Sequence, residues 1–257
     1  MLIDSHCHFD FEVFDADRAA ILARCEQLGI SQIIVPGVTA KRWDNLLSMT
    51  QGSSQLQNAL GLHPMFMAEH TAADISQLND YVARFNPIAI GEIGLDFYLE
   101  YHDKASQTAL FEQQLELAVK FNLPVILHVR KAHDAVIQLL KKHRVKGGIV
   151  HAFSGSEQQA LLYIKLGFLL GIGGTITYDK ATRVRRLFSQ LPLTAIALET
   201  DAPDMPLQGQ AGQRNSPESI VAILANLSAL RPESTDLIAK TTTQNVSQLF
   251  TLPSSLD

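Results

Sequence analysis

Residues 121–128 read Phe121-Asn122-Leu123-Pro124-Val125-Ile126-Leu127-His128, and a change of periodicity falls in the middle of them. Before the change, Phe111, Leu115 and Ala118 lie on one face of a helix predicted from about Lys104 to Phe121. Asn122-Leu123-Pro124 stops that helix. Val125–His128 is then a short continuous apolar run, the pattern of a strand covered on both faces. Seven more such runs occur: Leu2–Asp4, Gln32–Val38, Leu56–Leu62, Ile88–Glu92, Gly148–His151, Phe168–Ile172 and Ala195–Glu199. Between them the spacing is helical, as with Trp43, Leu46, Leu47 and Thr50, with Val184, Leu187, Phe188 and Leu191, and with Ile220, Ile223, Leu224 and Leu227. Pro217–Arg231 supplies the eighth helix and Ser234–Phe250 a terminal one. Eight strand–helix units in 257 residues favour an α/β fold of the closed (β/α)8 TIM type over an open doubly wound sheet. Nothing in composition breaks the chain, so one domain is expected over 1–257.

Composition removes several classes. Apolar residues make up 46% and charged residues 18%, which excludes a disordered or fibrous chain. Cys7 and Cys25 provide no disulfide framework, and no apolar run reaches the ~18 residues of a membrane span. The segment beginning Met1-Leu2-Ile3-Asp4 lacks the pattern of a signal peptide, and a cytoplasmic protein is expected. The net charge of −5 runs against the basic balance of proteins that hold nucleic acid along a positive face.

The chemistry lies at the strand ends. Strand one leads into His6-Cys7-His8, strand four into Glu92, strand five into His128-Val129-Arg130, strand six into His151 and strand eight into Glu199-Thr200-Asp201. Barrel active sites form at the C-terminal ends of strands, so four histidines and two carboxylates converge on one end. Side chains alternate along an extended chain, so His6 and His8 point to one side and Cys7 to the other. His6 and His8 can grip one ion, His128 and His151 a second, with Glu92 between them and Asp201 closing the ring. Such a nitrogen and oxygen donor set suits Zn²⁺, Mn²⁺, Fe²⁺ or Mg²⁺. Serine-hydrolase, HExxH and P-loop motifs are absent, and Gly171-Ile172-Gly173-Gly174 is a tight turn rather than a dinucleotide fingerprint.

The pieces Asp4-Ser5-His6-Cys7-His8-Phe9-Asp10, Gly61-Leu62-His63-Pro64, Gly91-Glu92-Ile93-Gly94-Leu95-Asp96, Leu127-His128-Val129-Arg130, His151-Ala152-Phe153-Ser154-Gly155, Glu199-Thr200-Asp201-Ala202-Pro203 and Arg214-Asn215-Ser216-Pro217-Glu218 follow one another across the chain. Together they resemble the TatD family of metal-dependent deoxyribonucleases, among the amidohydrolase-like barrels. Gly173-Gly174-Thr175-Ile176-Thr177-Tyr178 and Asp204-Met205-Pro206-Leu207 resemble its YjjV-like branch, with Asp204 where many relatives carry tyrosine. The resemblance implies two divalent ions per chain, Zn²⁺ first, with Mg²⁺ or Mn²⁺ as candidates for activity. It places His6, His8 and Asp201 on one ion and His128 and His151 on the other, with Glu92 as the bridge.

The reaction so implied is hydrolysis of DNA phosphodiesters, 3′-to-5′ from single-stranded ends. A hydroxide shared by the two ions attacks, Asp201 acts as general base, and Glu92 shares the catalytic centre. His63, Arg130 and Arg214 are candidate phosphate contacts, with loop or ion-pair roles as the other reading. Phe97, Tyr98 and Phe153 are candidate stacking surfaces for bases, or packing residues. His70, His102 and His143 lie outside the strand ends and are read as solvated; His133 is ambiguous, and Cys25 is read as core. Two other functions stay open: a dinuclear hydrolase of a small amide, lactone or phosphotriester, and a non-catalytic nucleic-acid-binding or protein-binding module. No membrane association and no obligate protein partner are evident. Two divalent ions would bring the net charge from −5 to −1, and with Glu92 and Asp201 as its carboxylates the loaded centre would carry +2.

Overall fold

Ile3, Ile34, Ala59, Ala89, Ile126, Ile149, Leu169 and Ala197 form one buried cluster, one residue from each strand or its entrance. That layer fills the bottom of a barrel. The structure is a computed structural model and describes residues 1–98 and 103–252. Strands and helices alternate in the order β1 (Leu2–Asp4), α1 (Arg18–Gln27), β2 (Ile30–Pro36), α2 (Trp43–Gln51), β3 (Leu56–Ala59), α3 (Asp74–Phe85), β4 (Ile90–Asp96) and α4 (Lys104–Phe121). They continue with β5 (Val125–Arg130), α5 (His133–His143), β6 (Gly148–Val150), α6 (Glu157–Lys165), β7 (Phe168–Ile172), α7 (Thr182–Gln190), β8 (Ile196–Leu198), α8 (Ile220–Ser228) and α9 (Thr235–Phe250).

All strand pairs are parallel, in runs β1-β2-β3 and β4 to β8. The Leu60–Ile90 bridge joins the runs on one side. On the other, the Ser5 N–H donates to the Leu198 carbonyl at 3.0 Å. Parallel neighbours leave both sheet faces to be covered. Trp43, Phe111, Leu115, Ile223 and Leu227 cover the outer face from the helices.

The helix at Lys104–Phe121 has the expected bounds, capped by the Asp103 side chain on the Ala105 N–H and ended by left-handed Asn122. The strands differ at their ends. The fourth begins two residues later than expected and runs on to Asp96, because Gly94, Leu95 and Asp96 pair with His128, Val129 and Arg130. Gly94 makes that possible: its φ is +144°, and a Cβ there would collide with the His128 carbonyl. The third ends at Ala59 rather than Leu62, because Gln114 of α4 takes up both backbone groups of Leu62.

The layer above the barrel floor follows from the two-residue period. Two positions beyond Ile126, Ile149, Leu169 and Ala197 stand His128, His151, Gly171 and Glu199.

Candidate metal centre

His6 and His8 lie just past β1, held by the loop after β8. The Asp201 N–H donates to the His6 carbonyl at 2.8 Å, and the His8 N–H donates to the Ala202 carbonyl at 2.8 Å. Cys7 points away and is buried, its S–H directed at the Ala202 carbonyl at 3.5 Å. Asp4 pins the same two loops, accepting from the Thr200 N–H at 2.9 Å and the Thr200 hydroxyl at 2.5 Å. Burial pushes the Asp4 carboxyl up to about 8 against those bonds. Two site residues, Asp201 (φ 55°) and Ala152 (φ 44°), occupy the left-handed region. Hydrogen bonds from both their amides, to His6 and to the Glu199 carboxylate, hold that conformation.

Glu92 is the hub. Its Oε2 lies 3.1 Å from His6 Nε2 and 3.3 Å from His8 Nε2, and its Oε1 lies 3.0 Å from His63 Nε2 and 3.1 Å from His128 Nδ1. Asp201 Oδ1 stands 3.6 Å from His6 Nε2 and 3.7 Å from His8 Nε2, and its Oδ2 stands 3.7 Å from His151 Nε2. His151 stacks on His6 with ring centroids 3.9 Å apart, and its Nδ1 lies 3.1 Å from Glu199 Oε1. His128 Nε2 lies 3.1 Å from Asp96 Oδ2.

The donor set fits a divalent cation. His6 Nε2 and His8 Nε2 are 3.4 Å apart, and both face Glu92 Oε2, which takes part in no hydrogen bond. Two imidazole nitrogens and a carboxylate oxygen within 3.4 Å of one another offer three lone pairs that one cation satisfies together. The charge balance agrees. Burial opposes a charge on His8 and His151, yet Glu92 and Asp201 outweigh it for His8, raising it to about 9. Asp201 and Glu199 do so for His151, raising it to about 10. For His128 the bonds to Asp96 and Glu92 likewise prevail and raise its pKa. Burial and the neighbouring His151 leave His6 neutral. Burial also works against Glu92, but the imidazoles hold its carboxyl well below the ordinary range. Burial lifts Asp201 to about 6.

All six expected ligand residues stand in this cluster: His6, His8 and Glu92 fall together as expected, with Asp201 beside both histidines, while His63 joins Glu92 and His128, and Glu199 joins His6 and His151. The ligand-atom groups are His6–His8–Glu92, His63–Glu92–His128 and His6–His151–Glu199. The rings of His128 and His151 are 6.3 Å apart between centroids. The residue count also changes the electrostatics. Asp96 and Glu199 join Glu92 and Asp201, four formal negative charges in place of two. With these two outer carboxylates included, two divalent ions would leave the cluster neutral, against +2 for the two ligand carboxylates alone.

Several substrate-side expectations are overturned. Arg214 does not face the mouth: Asp17 binds it with two bonds of 2.9 and 2.5 Å, and it donates to the Val13 carbonyl at 2.6 Å. Phe153 is 2% exposed and packs against His133 and Tyr163, so it offers no face to a base. His63 lies inside the cluster at 5% exposure, against Glu92. The Met65 N–H donates to its Nδ1, which places the proton of neutral His63 on Nε2, directed at Glu92. His70 is not solvated but sits 2.9 Å from the His63 carbonyl, and His143 pairs with Glu112. His102 lies outside the described residues. His133 meets the Tyr163 hydroxyl at 3.3 Å, and Cys25 is buried on α1. Arg130 lies 3.7 Å above the centroid of Tyr98, which is 53% exposed. Asp204 is exposed, with its N–H on the Asp201 carbonyl at 2.9 Å. Phe97 is half-buried, with the Lys104 ammonium 5.0 Å from its ring centre.

A comparison with known families matches residues 3–251 to the TatD related DNase model. The chain belongs to the TatD-related DNase family. Within it, the chain is 43% identical over 254 residues, 98% of either sequence, to YjjV of Escherichia coli strain K12, named an uncharacterized metal-dependent hydrolase. The YjjV crystal structure matches with a TM-score of 0.94, covering 98% of both chains. A Klebsiella pneumoniae protein named 3'-5' ssDNA/RNA exonuclease TatD is 30% identical over 244 residues, 92% of this chain and 93% of that one. Beyond the family, an organophosphorus hydrolase from Deinococcus radiodurans matches at a TM-score of 0.68 and 11% identity, over 97% of this chain and 92% of the other. That likeness is one of barrel fold.

Proposed function

We propose that this TatD-family protein is a metal-dependent hydrolase that cleaves DNA phosphodiesters, removing nucleotides 3′-to-5′ from single-stranded ends. The observation that carries the metal reading is the convergence of His6 Nε2 and His8 Nε2 on a Glu92 oxygen without a hydrogen bond, with an Asp201 oxygen 3.6 and 3.7 Å from the same two nitrogens. The nucleic-acid part is supported by the family match and by the name of the Klebsiella relative. His6, His8 and Asp201 would hold one divalent ion and His128 and His151 the other, with Glu92 shared. When bound, such ions polarise a phosphoryl oxygen and acidify an attacking water.

The remaining work falls to the chain's own groups. Asp201, reaching both sides of the cluster with its two oxygens, is the general base. His63 donates to Glu92 and orients it, and Glu199 orients His151. Arg130 is the phosphate contact retained from the sequence. We place the protein in the cytoplasm, in keeping with two cysteines that are both free and buried; no described helix is long and apolar enough to cross a membrane.

The test uses end-labelled single- and double-stranded DNA and RNA, with Zn²⁺, Mg²⁺ and Mn²⁺ titrated after EDTA stripping. The expected result is stepwise release from single-stranded DNA, slowed about 10²–10⁴-fold by Asp201→Asn. Equal release by both proteins sinks the proposal. Turnover of a lactone or phosphotriester without DNA cleavage transfers the function to that substrate class.

A further inference from the structure

A centre that is neutral with two ions, and negative without them, does not itself attract a polyanion. The attraction must come from the rim. Other arginines are committed: Arg18 to Asp15 at 2.8 Å, Arg24 to Glu218 at 2.6 Å, and Arg214 to Asp17. Arg42, just before α2, is different. Its nearest carboxylate oxygens, on Asp10 and Glu12, are each 4.0 Å away, and its side chain makes no hydrogen bond among the described residues. Its guanidinium lies 4.7 Å from the centre of the Phe11 ring, and Phe11 stacks on His8 at 5.0 Å and 18°. A column therefore runs from the cluster through Phe11 to a guanidinium that is 35% exposed. Beneath it Asp10 is buried, and neither of its carboxylate oxygens is hydrogen-bonded. That charge holds Arg42 near the mouth without consuming its N–H groups.

Arg130 on Tyr98 is the same device at the end of β5. Its strand, β5, is three strands round the eight-strand ring from β2, and Arg42 lies in the segment that joins β2 to α2. A guanidinium seated against an aromatic ring rather than on a hydrogen-bond acceptor keeps its N–H groups available, and their planar fork matches two phosphate oxygens at once.

We propose that Arg42, seated on Phe11, is a second phosphate subsite facing Arg130 across the mouth, so that a single-stranded polynucleotide spans the cluster between them. This rests on the phosphodiesterase reading above. It narrows the substrate to a chain of several phosphates, because a small ester reaches only one of the two arginines.

The test measures fluorescence anisotropy of a 5′-labelled hexadeoxynucleotide with Zn²⁺-loaded Asp201→Asn protein, titrated against NaCl. Adding Arg42→Met is expected to weaken binding about 10-fold, as for loss of a charged hydrogen bond. It should lower the slope of log affinity on log salt by about 0.7, one phosphate contact on a single strand. Arg42→Lys, which keeps the charge and loses the fork, should retain the slope with intermediate affinity. For a dinucleotide the Arg42→Met loss should shrink below 2-fold. Unchanged affinity and slope for the hexanucleotide in Arg42→Met overturn the subsite, even if wild-type protein cleaves DNA. Arg42-dependent binding with no cleavage by wild type leaves the subsite standing and removes the nuclease function.

Discussion

Glu199 accepts from the Ala152 N–H at 2.6 Å and lies 3.1 Å from His151 Nδ1, so it fixes which imidazole nitrogen carries the proton. His151 is left with Nε2 toward Asp201. Removing an acid that orients a ligand imidazole typically lowers metal affinity about 10–100-fold. Glu199→Gln should therefore weaken Zn²⁺ binding by that factor in a competition titration with a chromogenic chelator; wild-type affinity would show that Glu199 does not orient a ligand. Gly171 gives an independent check. A Cβ there would collide with the Glu199 carboxylate. Gly171→Ala should reproduce the Glu199→Gln loss with no change in any charged group, and intact affinity would mean the carboxylate has other room.

At the scale of elements, α4 sets the height of the site through two buried glutamines one heptad apart. Gln107 accepts from the Asp96 N–H at 2.9 Å and donates to the Asp96 carbonyl at 3.0 Å. Gln114 does the same for Leu62 at 2.8 and 3.1 Å, beside His63. Each glutamine replaces a missing strand partner with a side-chain amide. Gln114→Leu keeps the volume but strands both groups, at about 1–3 kcal/mol each. A lower urea midpoint with an unchanged m-value is expected; a midpoint within error of wild type would mean the loop finds other partners. The helix was legible because Phe111, Leu115 and Ala118 repeat at helical spacing. Gln107 and Gln114 lie on that same stripe, and a polar residue on an apolar face was a signal open to reading. The two-residue strand period likewise put Glu199 on the face of Ala197, inside the barrel. Strand ends were less legible: β3 stops early and β4 runs on because of Gln114 and Gly94, contacts remote in sequence.

For the whole molecule, the excess of buried carboxylates sets the response to pH and to metal. His8 and His151 are raised from 6.5 to about 9 and about 10, so in metal-free protein their contribution to stability is full below about pH 6.5. It is lost as pH rises through 9–10. Asp4, raised to about 8, and Asp201, raised to about 6, act in the same direction, since each folded carboxyl holds its proton longer than the unfolded one. Glu92 and Asp96, held low, oppose them, as do His6, His63 and His133, which burial lowers, but all of these act below about pH 6.5. The urea midpoint of EDTA-stripped protein should fall steadily from pH 6.5 to 10; a flat or rising midpoint contradicts this charge balance. Ligation requires neutral imidazoles, so Zn²⁺ uptake at pH 7 should release on the order of two protons, from His8 and His151. Calorimetry in buffers of different ionisation enthalpy counts them, and zero release would mean these rings start neutral.

By itself the sequence determined the alternating barrel and the convergence of His6, His8, Glu92, His128, His151 and Asp201 at one end of it. Both depend on local periodicity, and the topology carries every strand end to the same face. The tertiary structure alone decided which neighbours those side chains have. Arg214 is spent on Asp17, 197 residues away in the chain, and Asp4 on Thr200, 196 residues away. Asp96 and Glu199 turn inward and cancel the positive charge that two ions would bring. Arg42, stacked on Phe11 and paired with Asp10 and Glu12 at no closer than 4.0 Å, makes no side-chain hydrogen bond among the described residues. Hydrogen-bond partners are fixed by distances of about 3 Å between residues far apart in sequence, and no local pattern encodes those.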